Sequence, residues 1–136
     1  MFIVKKTMEV SVAHRLDLPY SSKCNFLHGH NTKITVFCSA SDESVKNNNG
    51  MVIDFVEIKK RIHNVLDHSC LTEVKCPECK KILTEGKLDG ERATAENIAK
   101  WVCRQIPSCF KVEVEESEGN IAVYVDNDLV PNTVGE

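Results

Sequence analysis

Hydrophobic and polar positions alternate along two long segments of the chain. In residues 2–14 the even positions from Met8 onward are apolar, and His14 follows them as the last even position. They share one face of an extended strand, because successive side chains point to opposite sides of the backbone. Residues 28–40 alternate in the same way, and His28 and His30 share a face with the apolar positions that follow them. The pattern predicts two long strands that carry their histidines on the core side.

The apolar spacing changes to that of a helix twice in the second half of the chain. Residues 55–66 carry apolar side chains three and four positions apart, directly after Asp54, a residue type typical of a helix N-cap. A second helix is predicted after the cap Thr94 and runs to about Ile106, because Pro107 cannot continue it.

Alternation returns near the end of the chain. Residues 110–116 and 121–125 predict two further strands, whereas the polar segment 41–50 is expected to be a surface loop. The element order is therefore ββααββ. This order favours an α+β fold in which an antiparallel four-stranded sheet carries both helices on one face.

Composition indicates one ordinary globular unit. With 136 residues, 42% hydrophobic and 27% charged, residues 1–136 are expected to form a single domain with a buried core. Within it, residues 73–93 predict an irregular insert and residues 126–136 a loose tail.

The net charge and the cysteine content limit the partners and the compartment that can be expected for this chain. The net charge of −3 gives no reason to expect a nucleic-acid partner. No apolar run approaches the roughly 18 residues of a membrane span, so no membrane partner is expected either. The seven cysteines are an odd number at irregular spacing, which favours reduced thiols and a cytoplasmic protein over a disulfide scaffold.

Three of the five histidines lie on coherent strand faces. Each alone could be an ordinary core or surface histidine. If the first two strands pair antiparallel, however, the imidazoles of His14, His28 and His30 converge on one point. Three neutral imidazoles with an open fourth position are typical of a catalytic zinc site, so we expect one Zn²⁺ per chain.

Cys24 lies in the loop that precedes these ligands, four residues before His28. It could be a fourth metal ligand or an inert thiol. Since a neighbouring cation favours the thiolate form, it could also be a nucleophile or a base.

Three acidic or imidazole side chains are further candidates. Asp67 and His68 directly follow the first predicted helix. They could stabilise the end of that helix, or the carboxylate could orient the imidazole for proton transfer. Glu116 shares its strand face with apolar positions and is predicted to point inward, where it needs a partner or a ligand. A planar ligand that offers two N–H groups would suit it.

Cys76 and Cys79 have the spacing of a zinc knuckle but lack a second pair at the usual distance. They could be a reduced pair in a loop. Alternatively, they could form a second, structural zinc site with Cys70 or Cys109 or with a second copy of the chain.

The order of these motifs resembles the 6-pyruvoyltetrahydropterin synthase family over about residues 2–125. The resemblance is carried by His14, Cys24-x-x-x-His28-Gly-His30, Gly50-Met-Val-Ile-Asp54-Phe55, Asp67-His68-x-x-Leu71, Thr94-Ala-Glu96-Asn97 and Glu116-Ser117. It implies the tunnelling fold of that family, with protomers assembled into a ring and sites near the subunit junctions.

The resemblance also implies roles for the candidate residues. Zinc would bind the three histidines, Cys24 would abstract a proton, and Asp67 and His68 would complete the catalytic group. Glu116 would anchor a pterin and could serve the zinc of a neighbouring subunit. The position of Cys24, four residues before His28, resembles the branch that makes 6-carboxytetrahydropterin.

The implied reaction is that of a lyase in queuosine (7-deazaguanine) biosynthesis. The substrate would be 7,8-dihydroneopterin triphosphate, and acetaldehyde and triphosphate would be released. Two alternatives stay open, namely another pterin branch with a pyruvoyl or hydroxymethyl product, and a non-catalytic, zinc-stabilised pterin-binding protein.

Overall fold

The computed structural model describes residues 1–75, 78–79, 82–84 and 86–131 of the chain. The strands are β1 (Phe2–His14), β2 (His28–Ala40), β3 (Ser69–Cys70), β4 (Val74–Lys75), β5 (Ile82–Thr84), β6 (Cys109–Ser117) and β7 (Asn120–Val125). The helices are α1 (Asp42–Asn47), α2 (Phe55–Arg61), α3 (His63–Leu66) and α4 (Ala95–Arg104), with a 3₁₀ turn at Lys23–Asn25.

The main sheet is built on the pairing of β1 with β2. These strands run antiparallel along their whole length, from Phe2 opposite Ala40 to His14 opposite His28. β2 pairs antiparallel with β6, and β6 with β7. The four predicted strands and their antiparallel arrangement are thereby confirmed. The two-residue strand β3, which was not predicted, adds to β1 in parallel and makes the sheet order β3-β1-β2-β6-β7.

The core lies between one face of this sheet and the helices. The buried cluster takes its strand members from the predicted inward positions, such as Val10, Ile34 and Val112, and its helix members from both predicted helices, such as Ile58 and Ile98. Both helices therefore cover the same face, as predicted. Removal of these apolar side chains from water is the main term that stabilises such a layered fold.

The prediction of a surface loop over residues 41–50 is wrong, because α1 forms there. Ser41 caps this helix, accepting a hydrogen bond from the Ser44 backbone N–H at 3.1 Å, and two acidic residues occupy the first turn. Val45 is its single buried residue. One apolar side chain produces no helical period, so the sequence pattern hid the helix.

The predicted helix over residues 55–66 is divided into α2 and α3. Ile62 stays in the right-handed helical region but is distorted, with φ −115° and ψ −69°, and it separates the two elements, while its side chain stays fully buried. Phe55, expected on the apolar stripe, is 49% exposed. The break lets the chain turn toward β1 and β3 while Ile58, Ile62 and Leu66 remain in the core.

The segment over residues 73–93 contains a short antiparallel hairpin of β4 and β5. Among the described residues, no helix is long and apolar enough to cross a bilayer.

Candidate metal centre and catalytic residues

The three histidines converge where β1 ends and β2 begins. His14 is the register partner of His28, and His30 lies opposite Val12, so all three imidazoles emerge on the covered face of the sheet. Their ring centroids are 4.6 Å (His14–His28), 5.1 Å (His14–His30) and 4.9 Å (His28–His30) apart. The predicted convergence of the imidazoles is thus present within one chain.

Two backbone carbonyls fix the orientation of two of the rings. His14 Nδ1 lies 2.7 Å from the Ala93 carbonyl oxygen, and His28 Nδ1 lies 2.7 Å from the Phe26 carbonyl oxygen. A carbonyl can only accept, so each Nδ1 carries the proton and donates. The lone pair of each neutral ring is therefore on Nε2. A metal-binding histidine usually donates its other ring N–H in this way.

Glu116 completes the group from β6. Its Oε1 lies 3.0 Å from His30 Nε2 and 3.8 Å from His14 Nε2. The ligand atoms of His14, His28, His30 and Glu116 all lie within 4.8 Å of one another. Three imidazoles and a carboxylate at this separation form a group that could hold a metal ion.

The buried nitrogen atoms support this interpretation. His14 Nε2 and His30 Nε2 are buried and have no hydrogen-bond partner within the described part of the chain; the 3.0 Å approach of Glu116 to His30 lacks hydrogen-bond geometry. Unpaired buried polar atoms are costly, and a cation bound to both lone pairs would remove that cost. The residues present therefore fit a metal.

Burial also favours the neutral form of His14, which is 1% exposed. Desolvation lowers the pKa of His14 and outweighs the opposing effects of the Ala93 carbonyl and of Glu116. A neutral imidazole is the form that binds a metal.

Cys24 lies outside this four-residue group. It belongs to the 3₁₀ turn, where its backbone N–H donates to Ser22 Oγ at 3.1 Å and its carbonyl accepts from the Leu16 N–H at 2.8 Å. The side chain of Asn25 bonds to the backbone of Leu18 and Tyr20 and ties the turn to the segment after His14. The thiol is half-buried and reduced.

Asp67 and His68 are held against the edge of β1. Asp67 Oδ1 accepts from the Ser11 backbone N–H at 2.9 Å, and the His68 backbone N–H donates to the Ser11 carbonyl at 2.7 Å. His68 Nδ1 lies 2.9 Å from Asp67 Oδ2, and the His68 side chain is 82% exposed. The pKa of Asp67 is lowered, mainly by the Ser11 N–H and then by His68. The predicted carboxylate–imidazole pair is therefore formed, and its imidazole is open to solvent.

Two surface cavities flank the metal-binding group. The first, about 550 Å³, is lined by His30 and His68 among others. The second, about 580 Å³, is lined by Glu116, Ser117 and Thr94 among others. In a single chain, His68 and Glu116 thus face different cavities, each of a size that suits a small ligand.

The suggested second metal site falls partly outside the described residues, because Cys76 is not among them. Cys79 is exposed, and Cys70 Sγ donates to the Thr72 carbonyl at 3.3 Å. Cys109 is fully buried, and its thiol donates to the Lys111 carbonyl at 3.4 Å. A zinc site at Cys76 and Cys79 stays a prediction.

Some contributors to the site could not be found by residue type. The Ala93 and Phe26 carbonyls and the Ser11 backbone act through main-chain atoms that every residue has. The inward position of Glu116 followed from alternation. Its closeness to His30 depends on the pairing of β2 with β6, which the sequence does not specify.

The fold and the site define an α+β protein whose antiparallel sheet carries a three-histidine, one-carboxylate group able to hold a metal. The chain belongs to the 6-pyruvoyl tetrahydropterin synthase family, whose sequence profile matches residues 3–127. It is therefore an enzyme of the tetrahydropterin synthase family.

Curated relatives come from bacteria and archaea. The 6-carboxy-5,6,7,8-tetrahydropterin synthase of Haemophilus influenzae is 30% identical over 117 residues, which cover 78% of this chain and 82% of the relative. A protein of Archaeoglobus fulgidus, named as a candidate for the same activity, is 35% identical over 111 residues, covering 73% of this chain and 91% of the relative.

Solved structures agree on the fold. The 6-pyruvoyl tetrahydropterin synthase of Caenorhabditis elegans superposes with a TM-score of 0.63 at 24% identity, covering 91% of this chain and 94% of that chain. At this identity the likeness concerns the fold alone, and it confirms the tunnelling fold that the motifs implied.

Proposed function

We propose that the chain is a zinc-dependent 6-carboxy-5,6,7,8-tetrahydropterin synthase. It would convert 7,8-dihydroneopterin triphosphate and one water to 6-carboxytetrahydropterin, with release of acetaldehyde and triphosphate, as a cytoplasmic lyase of queuosine biosynthesis. The observation that carries the proposal is the pair of buried, unpaired nitrogens, His14 Nε2 and His30 Nε2, next to Glu116 among the described residues.

In this proposal His14, His28 and His30 hold the zinc. The chemistry that zinc supplies when bound is Lewis-acid polarisation of the substrate's side-chain oxygen, which acidifies the neighbouring C–H. The hydrogen bonds to the Ala93 and Phe26 carbonyls hold two of the imidazoles ready, so that little reorganisation is needed on binding.

Proton transfer is assigned to Cys24, Asp67 and His68. Cys24 is the base that removes the acidified proton, and its turn is anchored by Asn25. Asp67 holds His68 Nδ1 at 2.9 Å, which leaves the exposed Nε2 of His68 to exchange a proton with the substrate. An oriented carboxylate–imidazole pair is an effective acid–base relay.

Pterin binding is assigned to Glu116. Its side chain is 25% exposed and lines the second cavity with Ser117 and Thr94. A carboxylate can accept two parallel hydrogen bonds from a ring N–H and an adjacent amino group. This arrangement would set the pterin beside the metal-binding group.

The experiment is a product assay with the zinc-loaded protein and its C24A variant. Both are incubated with 7,8-dihydroneopterin triphosphate, and the products are identified by mass spectrometry. We expect carboxy-pterin and acetaldehyde from the wild type, and a loss of at least about 100-fold in the variant. A pyruvoyl or hydroxymethyl product would move the protein to another branch, and absence of turnover with zinc bound would refute the enzyme proposal.

We further propose that sites form at junctions of a homo-oligomer, where one chain supplies Cys24 and another His68. Cys24 is not among the described residues that line the His68 cavity of the same chain, which supports this arrangement. Random mixed oligomers of equal amounts of C24A and H68Q would then recover about a quarter of wild-type activity, since one junction in four would have both residues intact. Sites formed within one chain would give no recovery.

A further inference from the structure

His63 has no role in the proposed reaction, yet it faces the proposed relay. It begins α3, four residues before Asp67, and its Nε2 lies 3.8 Å from Asp67 Oδ2. The same oxygen lies 2.9 Å from His68 Nδ1. The other carboxylate oxygen, Oδ1, accepts from the Ser11 backbone N–H. Two imidazoles therefore face one oxygen of Asp67.

The surroundings of His63 indicate its tautomer. His63 Nδ1 is buried and has no hydrogen-bond partner in the described part of the chain, whereas Nε2 faces a carboxylate oxygen. A neutral imidazole carries one N–H and one lone pair. The proton is better placed on Nε2, directed at Asp67, because the carboxylate can only accept. At 3.8 Å the contact is electrostatic rather than a hydrogen bond.

The two imidazoles differ in their access to solvent. The side chain of His68 is 82% exposed and that of His63 is 29% exposed, so His68 can reach a substrate while His63 packs behind the carboxylate. We infer that His63 is a positioning residue, which fixes Asp67 so that its carboxylate holds the His68 imidazole in one orientation. The inference rests on the proposed roles of Asp67 and His68.

The electrostatics of Asp67 agree with this geometry. The pKa of Asp67 is lowered by the Ser11 N–H, by the hydrogen bond from His68 and, to a smaller extent, by electrostatic attraction to the imidazoles of His68 and His63, against an opposing effect of burial. These groups come from β1 and from the segment that contains Asp67 itself. Loss of the imidazole of His63 should therefore raise the pKa of Asp67.

The test compares H63L and H63A, which remove the donor, with H63Q, whose side-chain N–H can point at the same oxygen. N64L, at the neighbouring exposed position of α3, is the matched control. We expect H63L and H63A to lower kcat roughly two- to fivefold, the size of a partly exposed electrostatic contact, with KM unchanged. The acid limb of the pH profile should move to higher pH in both variants. H63Q and N64L should behave as the wild type.

A second readout uses the protein without substrate. The pKa of Asp67 is followed by ¹³C NMR of its carboxyl group, and the tautomer of His68 by ¹⁵N NMR. A higher Asp67 pKa in H63L and H63A, restored in H63Q, supports the inference even if the wild type does not turn over the pterin, an outcome that would refute only the proposed function. An unchanged Asp67 pKa and kcat in H63L and H63A, or equal losses in H63Q, would overturn it.

Discussion

Replacement of one histidine of the metal-binding group should separate zinc binding from folding. His30 is the best position because its side chain is 24% exposed, so glutamine can replace it without a cavity in the core. His30 Nε2 is buried without a hydrogen-bond partner among the described residues and lies 3.0 Å from Glu116. The H30Q variant should therefore keep the stability of the zinc-free protein and lose much of the stabilisation by zinc.

The size of the effect follows from mass action. At free zinc about 1,000 times Kd, binding stabilises the folded state by about 4 kcal/mol. Loss of one of the three proposed histidine ligands should weaken binding by at least about 100-fold, so that the same zinc concentration gives only about 1.4 kcal/mol. For a domain of this size roughly 3–5 °C of Tm accompany each kcal/mol. The expected rise in Tm is thus about 12–20 °C for the wild type and about 4–7 °C for H30Q.

Calorimetric scans with zinc and with a chelator measure these shifts, in a zinc buffer that fixes the free concentration. H68Q is the matched control, because His68 lies outside the metal-binding group and its replacement should leave the zinc-induced rise intact. Cobalt substitution adds a spectroscopic readout of the ligand set. Equal zinc-induced rises in the wild type and H30Q, or no rise in the wild type, would refute the assignment.

Three further predictions concern the core, the relay and the pterin site. Ile34 is fully buried and Val123 is 52% exposed, so urea unfolding should give a loss of roughly 2–5 kcal/mol for I34A and under about 0.5 kcal/mol for V123A. The lowered pKa of Asp67 means that its stabilising contribution is complete above the ordinary carboxyl pKa of about 4 and is lost as the pH falls through the lower folded value. The difference in Tm between the wild type and D67N should accordingly shrink on acidification, and a constant difference would contradict this. E116Q should weaken binding of a dihydropterin about 10- to 100-fold in calorimetric titration while three histidines still bind zinc; loss of zinc instead would make Glu116 a ligand.

The long strands could be predicted because one buried face fixes both their period and their register. A slip of β1 by one residue against β2 would turn Val10 and His14 toward solvent. The observed strands therefore begin and end at the predicted residues, Phe2–His14 and His28–Ala40. The apolar pattern of a half-buried strand is sufficient information for this part of the fold.

The elements that were missed lack such a pattern. α1 buries only Val45, and β3 has two residues that pair with Val12 and Ala13. The break at Ile62 lies inside an unbroken apolar stripe. In each case tertiary contacts, rather than local preference, decide the conformation. These contacts cannot be predicted from the residue pattern of a single sequence.

The residues of the candidate site also differ in how far they could be predicted, according to whether they lie on a strand or in a loop. His14, His28 and His30 were predictable as a group because the pairing of two regular strands brings them together, and Glu116 joins them from β6 through the pairing of β2 with β6. Cys24 belongs to a turn whose position is set by the side chain of Asn25 and the backbone of residues 16–20. Strands hold ligands rigidly, whereas a short turn can shift with little loss of core packing. Metal affinity should therefore depend on the sheet, and the choice among pterin reactions on the loop that presents the thiol.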